Sequence, residues 1–126
     1  MPSHEPTIQK VHEDARGAMY SIDIGDRELM LLFSKKGTLR GGHSHDVPEQ
    51  VMVLTGEMRY HKHFGDVGES RTVLTPGACS MNAAGQVHMG EFLEDTWLIE
   101  FKLAKKGEWT QENYAPWRDR VEANAR

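Results

Sequence analysis

Side chains along most of this chain alternate between apolar and polar with a period of two, the pattern of a half-buried strand. Residues 17–24 set Ala18, Tyr20, Ile22 and Ile24 on one face. Gly25-Asp26 reads as a turn, and residues 27–34 as a second strand, apolar on both faces from Leu29 to Phe33. Lys35-Lys36-Gly37 turns the chain again, and residues 39–45 form the next strand, with Gly41-Gly42 placed for a bulge or a close backbone approach. Residues 49–55 carry Glu49, Val51 and Val53 on one face and Gln50, Met52 and Leu54 on the other. Apolar groups on both faces call for cover on both. Residues 57–64 point Met58, Tyr60 and Phe64 inward, and 65–70 make a hairpin loop. Short strands follow at 72–74 and 79–82, parted by Pro76-Gly77, with a turn at 83–86. Residues 87–93 set His88, Gly90 and Phe92 on one face, and 96–102 set Trp97, Ile99 and Phe101 opposite Leu98 and Glu100.

The two ends differ from this middle. Residues 1–16 are polar, with His4 and His12, and read as an arm laid over the strands or over a neighbouring subunit. In the tail, 104–126, Pro116 suits the first turn of a helix running to about residue 125. Trp117 and Val121 lie four residues apart and would dock together on the strands. Many short strands between glycine turns predict an all-β sandwich or barrel. At 126 residues the chain suits one domain, with its core at about 17–103.

Composition narrows the function. The net charge of −4 argues against a nucleic-acid partner, which would call for a basic stripe. No apolar run approaches the roughly 18 residues of a membrane helix, and no leader is expected from the polar N-terminus. One cysteine, Cys79, excludes an internal disulfide framework and suits the cytoplasm. It is expected as a small buried hydrophobe.

The candidate chemistry lies in His43-Ser-His45 and Glu49. On a strand both imidazoles point to one face, about 6.6 Å apart along the backbone. That spacing lets both rings converge on one metal ion, with bonds of about 2.0–2.1 Å. Glu49, just beyond Pro48, can reach the same ion. A second pair, His61-Lys62-His63, has no glutamate at the matching distance and reads as outward-facing surface or interface. Arg40 reads as an exposed arginine, with bidentate capture of a carboxylate or phosphate as the alternative.

The run Gly37, His43-x-His45, Glu49, Gly56 resembles the first motif of the cupin superfamily, and Gly77 to Gly85 to His88 resembles the second. Ala83 stands where the family usually has proline, and Phe92 where it has asparagine. The resemblance implies a double-stranded β-helix, a jelly-roll barrel, with a short C-terminal helix added. It implies that His43, His45, Glu49 and His88 bind one divalent transition metal: Fe, Mn, Ni, Co or Zn. Such a donor set does not choose sharply among these ions. Tyr60, Phe92 and Trp97 would wall the substrate pocket, with Met81 beside them, and no catalytic residue is assigned. The implied activity is a metal-dependent enzyme on a small polar metabolite, a sugar or carboxylate isomerase or epimerase. The alternatives are a mononuclear iron dioxygenase, a small-molecule lyase and a non-catalytic binding or sensing cupin. A homodimer is expected: the outer apolar set, Met52 and Leu54 included, calls for cover by the arm, the tail helix or another subunit, and the resemblance implies pairing through such a face.

Overall fold

The computed structural model describes residues 5–125. Its strands are β1 (Thr7–Asp14), β2 (Gly17–Asp23), β3 (Glu28–Ser34), β4 (Leu39–His45), β5 (Glu49–Thr55), β6 (Met58–His63), β7 (Glu69–Leu74), β8 (Cys79–Asn82), β9 (Val87–Phe92), β10 (Thr96–Lys102) and β11 (Gln111–Asn113), followed by the helix α1 (Ala115–Ala125). Six strands make one sheet in the order β1-β2-β3-β10-β5-β8, and five make a second in the order β11-β4-β9-β6-β7. The strand pairs are antiparallel. Leu32, Val51, Val53, Met58, Tyr60, Leu74, Phe92 and Leu98 fill the space between the sheets.

The strands of the middle fall close to where alternation predicts them, except that β7 starts at Glu69, inside the loop expected at 65–70. Two elements escape that pattern. Residues 1–4 of the expected arm, His4 among them, lie outside the described residues, but the rest of that arm contains β1, paired along its length with β2 at the sheet edge. Its side chains are nearly all exposed, so the backbone ladder holds it and no apolar face betrays it. The all-polar β11 pairs with β4, Gln111 opposite His45 and Asn113 opposite His43. That short ladder braces the strand carrying the two histidines.

The helix closes the outer face of the five-stranded sheet. Trp117 and Val121 pack there with Leu39, Val87 and Met89. This cover explains a departure from expectation: His61 faces out of the barrel yet is buried, bonded to Glu91 Oε1 at 3.0 Å. His63 meets the Trp117 ring, centroids 5.5 Å apart. Phe64, expected inside, lies past the end of β6 and is 44% exposed.

Candidate metal centre

A bulge sets the site. β4 pairs with β9 as Arg40 opposite Gly90 and Gly41 opposite Met89, then slips so that His43 stands opposite His88. One residue inserted into a strand reverses its facing from there on. Arg40 on one side of the slip and His43 and His45 on the other therefore all face inward. The two glycines make the bulge possible. Gly41 and Gly42 have φ of +103° and +82°, and a Cβ on Gly41 would fall 2.9 Å from the His88 carbonyl oxygen.

The three rings converge. Centroids of His43 and His45 lie 4.8 Å apart, His43 and His88 4.8 Å, and His45 and His88 5.6 Å. One nitrogen from each falls within 4.8 Å of the others, a spacing that suits a shared ion. Glu49 joins them, Oε1 at 3.2 Å from His88 Nε2 and Oε2 at 3.5 Å from His45 Nε2.

The tautomers follow from the outer ring nitrogens. His88 Nδ1 lies 3.1 Å from the Gln86 carbonyl, and His45 Nδ1 lies 3.3 Å from the Thr110 carbonyl. A carbonyl only accepts, so each Nδ1 carries the proton and each Nε2 presents a lone pair inward. Those two Nε2 atoms and Glu49 Oε2 are buried without a hydrogen-bond partner. Two imidazole lone pairs with no donor, beside a carboxylate oxygen that faces the Lys102 ammonium at 3.3 Å, fit a cation at the centre. A divalent ion suits them, held by His43, His45, Glu49 and His88.

Electrostatics agree. Burial, then the neighbouring His88 and His45, push the His43 ring down to about 3. Burial also lowers His45, with Glu49 opposing. Both rings are thus neutral near pH 7, as ligation requires. Burial alone would raise Glu49, but His88, Lys102 and His45 outweigh it and hold the carboxyl low.

Around the ligands stand residues that the sequence reading did not single out. Asn82 Nδ2 donates to the Tyr60 hydroxyl at 2.7 Å and to Glu49 Oε1 at 3.3 Å, fixing both. Lys102 Nζ lies 3.3 Å from Glu49 Oε2 and 4.0 Å from the Trp109 ring centroid. Trp109 in turn meets the His45 ring edge-on at 5.3 Å. A cavity of about 50 Å³ adjoins the site, with Arg40, His43, Tyr60, His88, Phe92 and Glu100 in its wall. Burial, then the charge of Glu49, push the Glu100 carboxyl up to about 7.

The structure thus brings Tyr60 and Phe92 together at the ligands but places Trp97 elsewhere. Trp97 stands on the outer face of the six-stranded sheet, 5.0 Å from the Phe33 ring and 6.1 Å from Tyr20. The inward face of β10 carries Leu98 and Glu100 instead. Three large apolar groups on one face of β10 resemble a core stripe, and that likeness misdirects the reading of Trp97. Met81, expected in the wall, is 47% exposed. Cys79, expected buried, is exposed. Arg40, expected exposed, is buried and donates from Nε to Ser34 Oγ at 2.7 Å.

No family model matches the chain, and no curated protein matches it. Solved structures do. Oxalate decarboxylase OxdC of Bacillus subtilis is 18% identical, with a TM-score of 0.72 over 92% of this chain and 34% of that one. The capsular polysaccharide assembling protein CapF of Staphylococcus aureus is 20% identical, with a TM-score of 0.64 over 79% of this chain and 29% of that one. Vicilin of Corylus avellana is 12% identical, with a TM-score of 0.68 over 84% of this chain and 34% of that one. The chain therefore spans about a third of the length of these proteins. Two antiparallel sheets closed around a histidine cluster give this chain the jelly-roll fold that these structures share, the fold of cupin proteins.

Proposed function

We propose that this chain is a metal-dependent enzyme acting on a small polar metabolite, a carboxylate or a sugar. One observation carries the reading: buried, unpartnered Nε2 atoms of His45 and His88 gather with His43 and Glu49 beside a cavity. An ion held there would act as a Lewis acid on a substrate oxygen, or activate oxygen if it were iron. The protein's own groups do the rest. Burial, then Glu49, raise the Tyr60 hydroxyl well above its usual range, so it stays protonated and able to donate. Glu100, at about 7, exchanges a proton near neutral pH from the cavity wall. Phe92 and Leu98 keep that wall apolar. Such a pairing of a fixed donor with a neutral-range carboxyl suits proton movement on one carbon, as in isomerisation or epimerisation. Dioxygenase and lyase chemistry use the same ligands.

Two of the proteins of like fold point the same way: one is a decarboxylase of a small dicarboxylate, the other assembles a polysaccharide. The test combines elemental analysis of protein purified without added metal with turnover assays on small carboxylates and nucleotide-free sugars. Turnover that vanishes on chelation and returns with the metal is expected. A protein that takes up no transition metal would end the reading. A non-catalytic binding cupin is the second reading. Tight binding of a compound with no turnover across the panel would select it.

We also propose a homodimer. Met52, Leu54 and Met81, on β5 and β8, are 37%, 41% and 47% exposed. With Trp97, Ile99 and Phe33 they form an apolar face on the six-stranded sheet that the helix does not cover. Light scattering at micromolar concentration should give twice the chain mass of 14.3 kDa. The monomer mass would refute it. The exposed thiol of Cys79 suits a reducing compartment, and we assign the protein to the cytoplasm on that ground.

A further inference from the structure

The metal centre is the inner end of a longer cleft. A second cavity, about 500 Å³, shares Arg40, Gly41 and His43 with the inner one and is bordered by Arg16, Arg118 and Ala115. Three guanidinium groups thus line one chamber, with Asp14 beside two of them and Glu100 in the inner cavity wall beside Arg40. Arg16 binds Asp14 at 2.6 Å through Nη2, and Arg40 Nη2 lies 4.0 Å from the same side chain. Arg118 has no acid partner among the described residues, and its Nε is buried with no acceptor. Buried guanidinium N–H groups without acceptors are rare, because each forfeits its hydration.

The position of Arg118 is specific. Its stem lies against Gly42, where a Cβ would fall 2.7–2.9 Å from the Arg118 Cβ, Cγ and Cδ atoms. The glycine of the bulge therefore does two things: it turns the histidines inward and makes room for this arginine beside them. Ala115 opens α1, whose N-terminal end adds a partial positive charge to the same chamber.

We propose that the outer chamber binds an oxyanion, the carboxylate or phosphate group of the substrate, with Arg118 as its principal donor and Arg40 and Arg16 beside it. The substrate would then extend past His43 toward the ion. This names the charge class of the substrate of the proposed enzyme and rests on that reading for its inner end only.

The test is calorimetric titration of the full chain with malonate and with inorganic phosphate, on metal-loaded and on chelator-treated protein. Wild type is compared with Arg118→Met, which keeps the stem against Gly42, and with Arg118→Lys; circular dichroism checks folding. At least one anion should bind, and Arg118→Met should weaken it about tenfold in both metal states, the loss of one charge-assisted hydrogen bond. Arg118→Lys should recover part of the loss. Tighter malonate marks a carboxylate substrate, tighter phosphate a phosphorylated one. If Arg118→Met does not fold, Arg118→Gln carries the same expectation. Equal affinity in wild type and variant, or no anion binding at millimolar concentration, overturns the proposal. Binding lost on chelation and indifferent to residue 118 also overturns it, while leaving the metal centre intact. A tenfold effect in protein that takes up no metal upholds the chamber and removes the enzyme reading instead.

Discussion

Replacing His45 with alanine is expected to empty the metal centre. His45 is the most enclosed of the three histidines: its side chain is 2% exposed, its Nδ1 is held by the Thr110 carbonyl, and Trp109 lies against its ring. Loss of a partner behind a ligand already costs about 10–100-fold in metal affinity, so loss of the ligand itself should cost on the order of 100-fold or more. Bound metal should fall from about one ion per chain to below about a tenth of that after desalting. The thermal signature should follow. An ion present at about 100 times its dissociation constant adds about 2.7 kcal/mol to stability, and the variant should lack that increment. His61→Ala supplies the contrast. His61 is as buried as the ligands but belongs to Glu91 under the helix, so its removal should leave metal content unchanged. Full occupancy in the His45 variant, or equal losses in both, would detach the ion from the cluster.

The contrast between the two His-x-His pairs shows what the sequence could reveal. On β4 the pair sits after a double glycine and four residues before a carboxylate, and the structure closes those residues together with His88. On β6 the facing of His61 was legible from its alternation with Met58 and Tyr60. Its burial was not, because the cover comes from Trp117 and Val121, more than fifty residues away. Lys102, Trp109 and Asn82 were hidden for a similar reason. Lys102 and Asn82 reach Glu49 through strand pairing between distant segments, Lys102 opposite Glu49 and Glu49 opposite Asn82, and Trp109 reaches His45 from the loop between β10 and β11. Local pattern carries no trace of such pairing. Trp97 failed differently. Period two was read correctly on β10, but which face was the interior could not be chosen, because both faces hold large apolar groups. The outer apolar face of the six-stranded sheet is where that ambiguity originates.

Melting curves of metal-loaded and chelated protein are expected to stay apart from neutral pH down to about pH 5 and to converge only below that. Free imidazole titrates near about 6.5, so three unperturbed histidines would begin to yield the ion to protons there. In the folded chain burial has already lowered His43 to about 3 and has lowered His45 as well. These two rings are neutral before the ion arrives and have no proton to displace, so they should add little to any change of affinity between pH 8 and 6. The cost appears in folding. A histidine whose folded pKa is depressed contributes stability that is present above about 6.5 and is lost as pH falls toward the folded value, so both forms should weaken on acidification. Glu100 has the opposite sign. Its carboxyl is raised from 4.5 to about 7, so its contribution is present below about 4.5 and is lost as pH rises through 7. Glu100→Gln should therefore stabilise chelated protein at pH 8 and give no gain at pH 4. Glu100 keeps some contact with solvent, which limits the gain to about 1–2 kcal/mol. Paired melts from pH 8 to 4, on wild type and Glu100→Gln, read all of these slopes. Coincident melting temperatures of loaded and chelated wild type at pH 7, with metal content confirmed, would show that the ion lies outside the folded barrel. A pH-independent offset between wild type and Glu100→Gln would show that Glu100 is not the titrating group of the cavity.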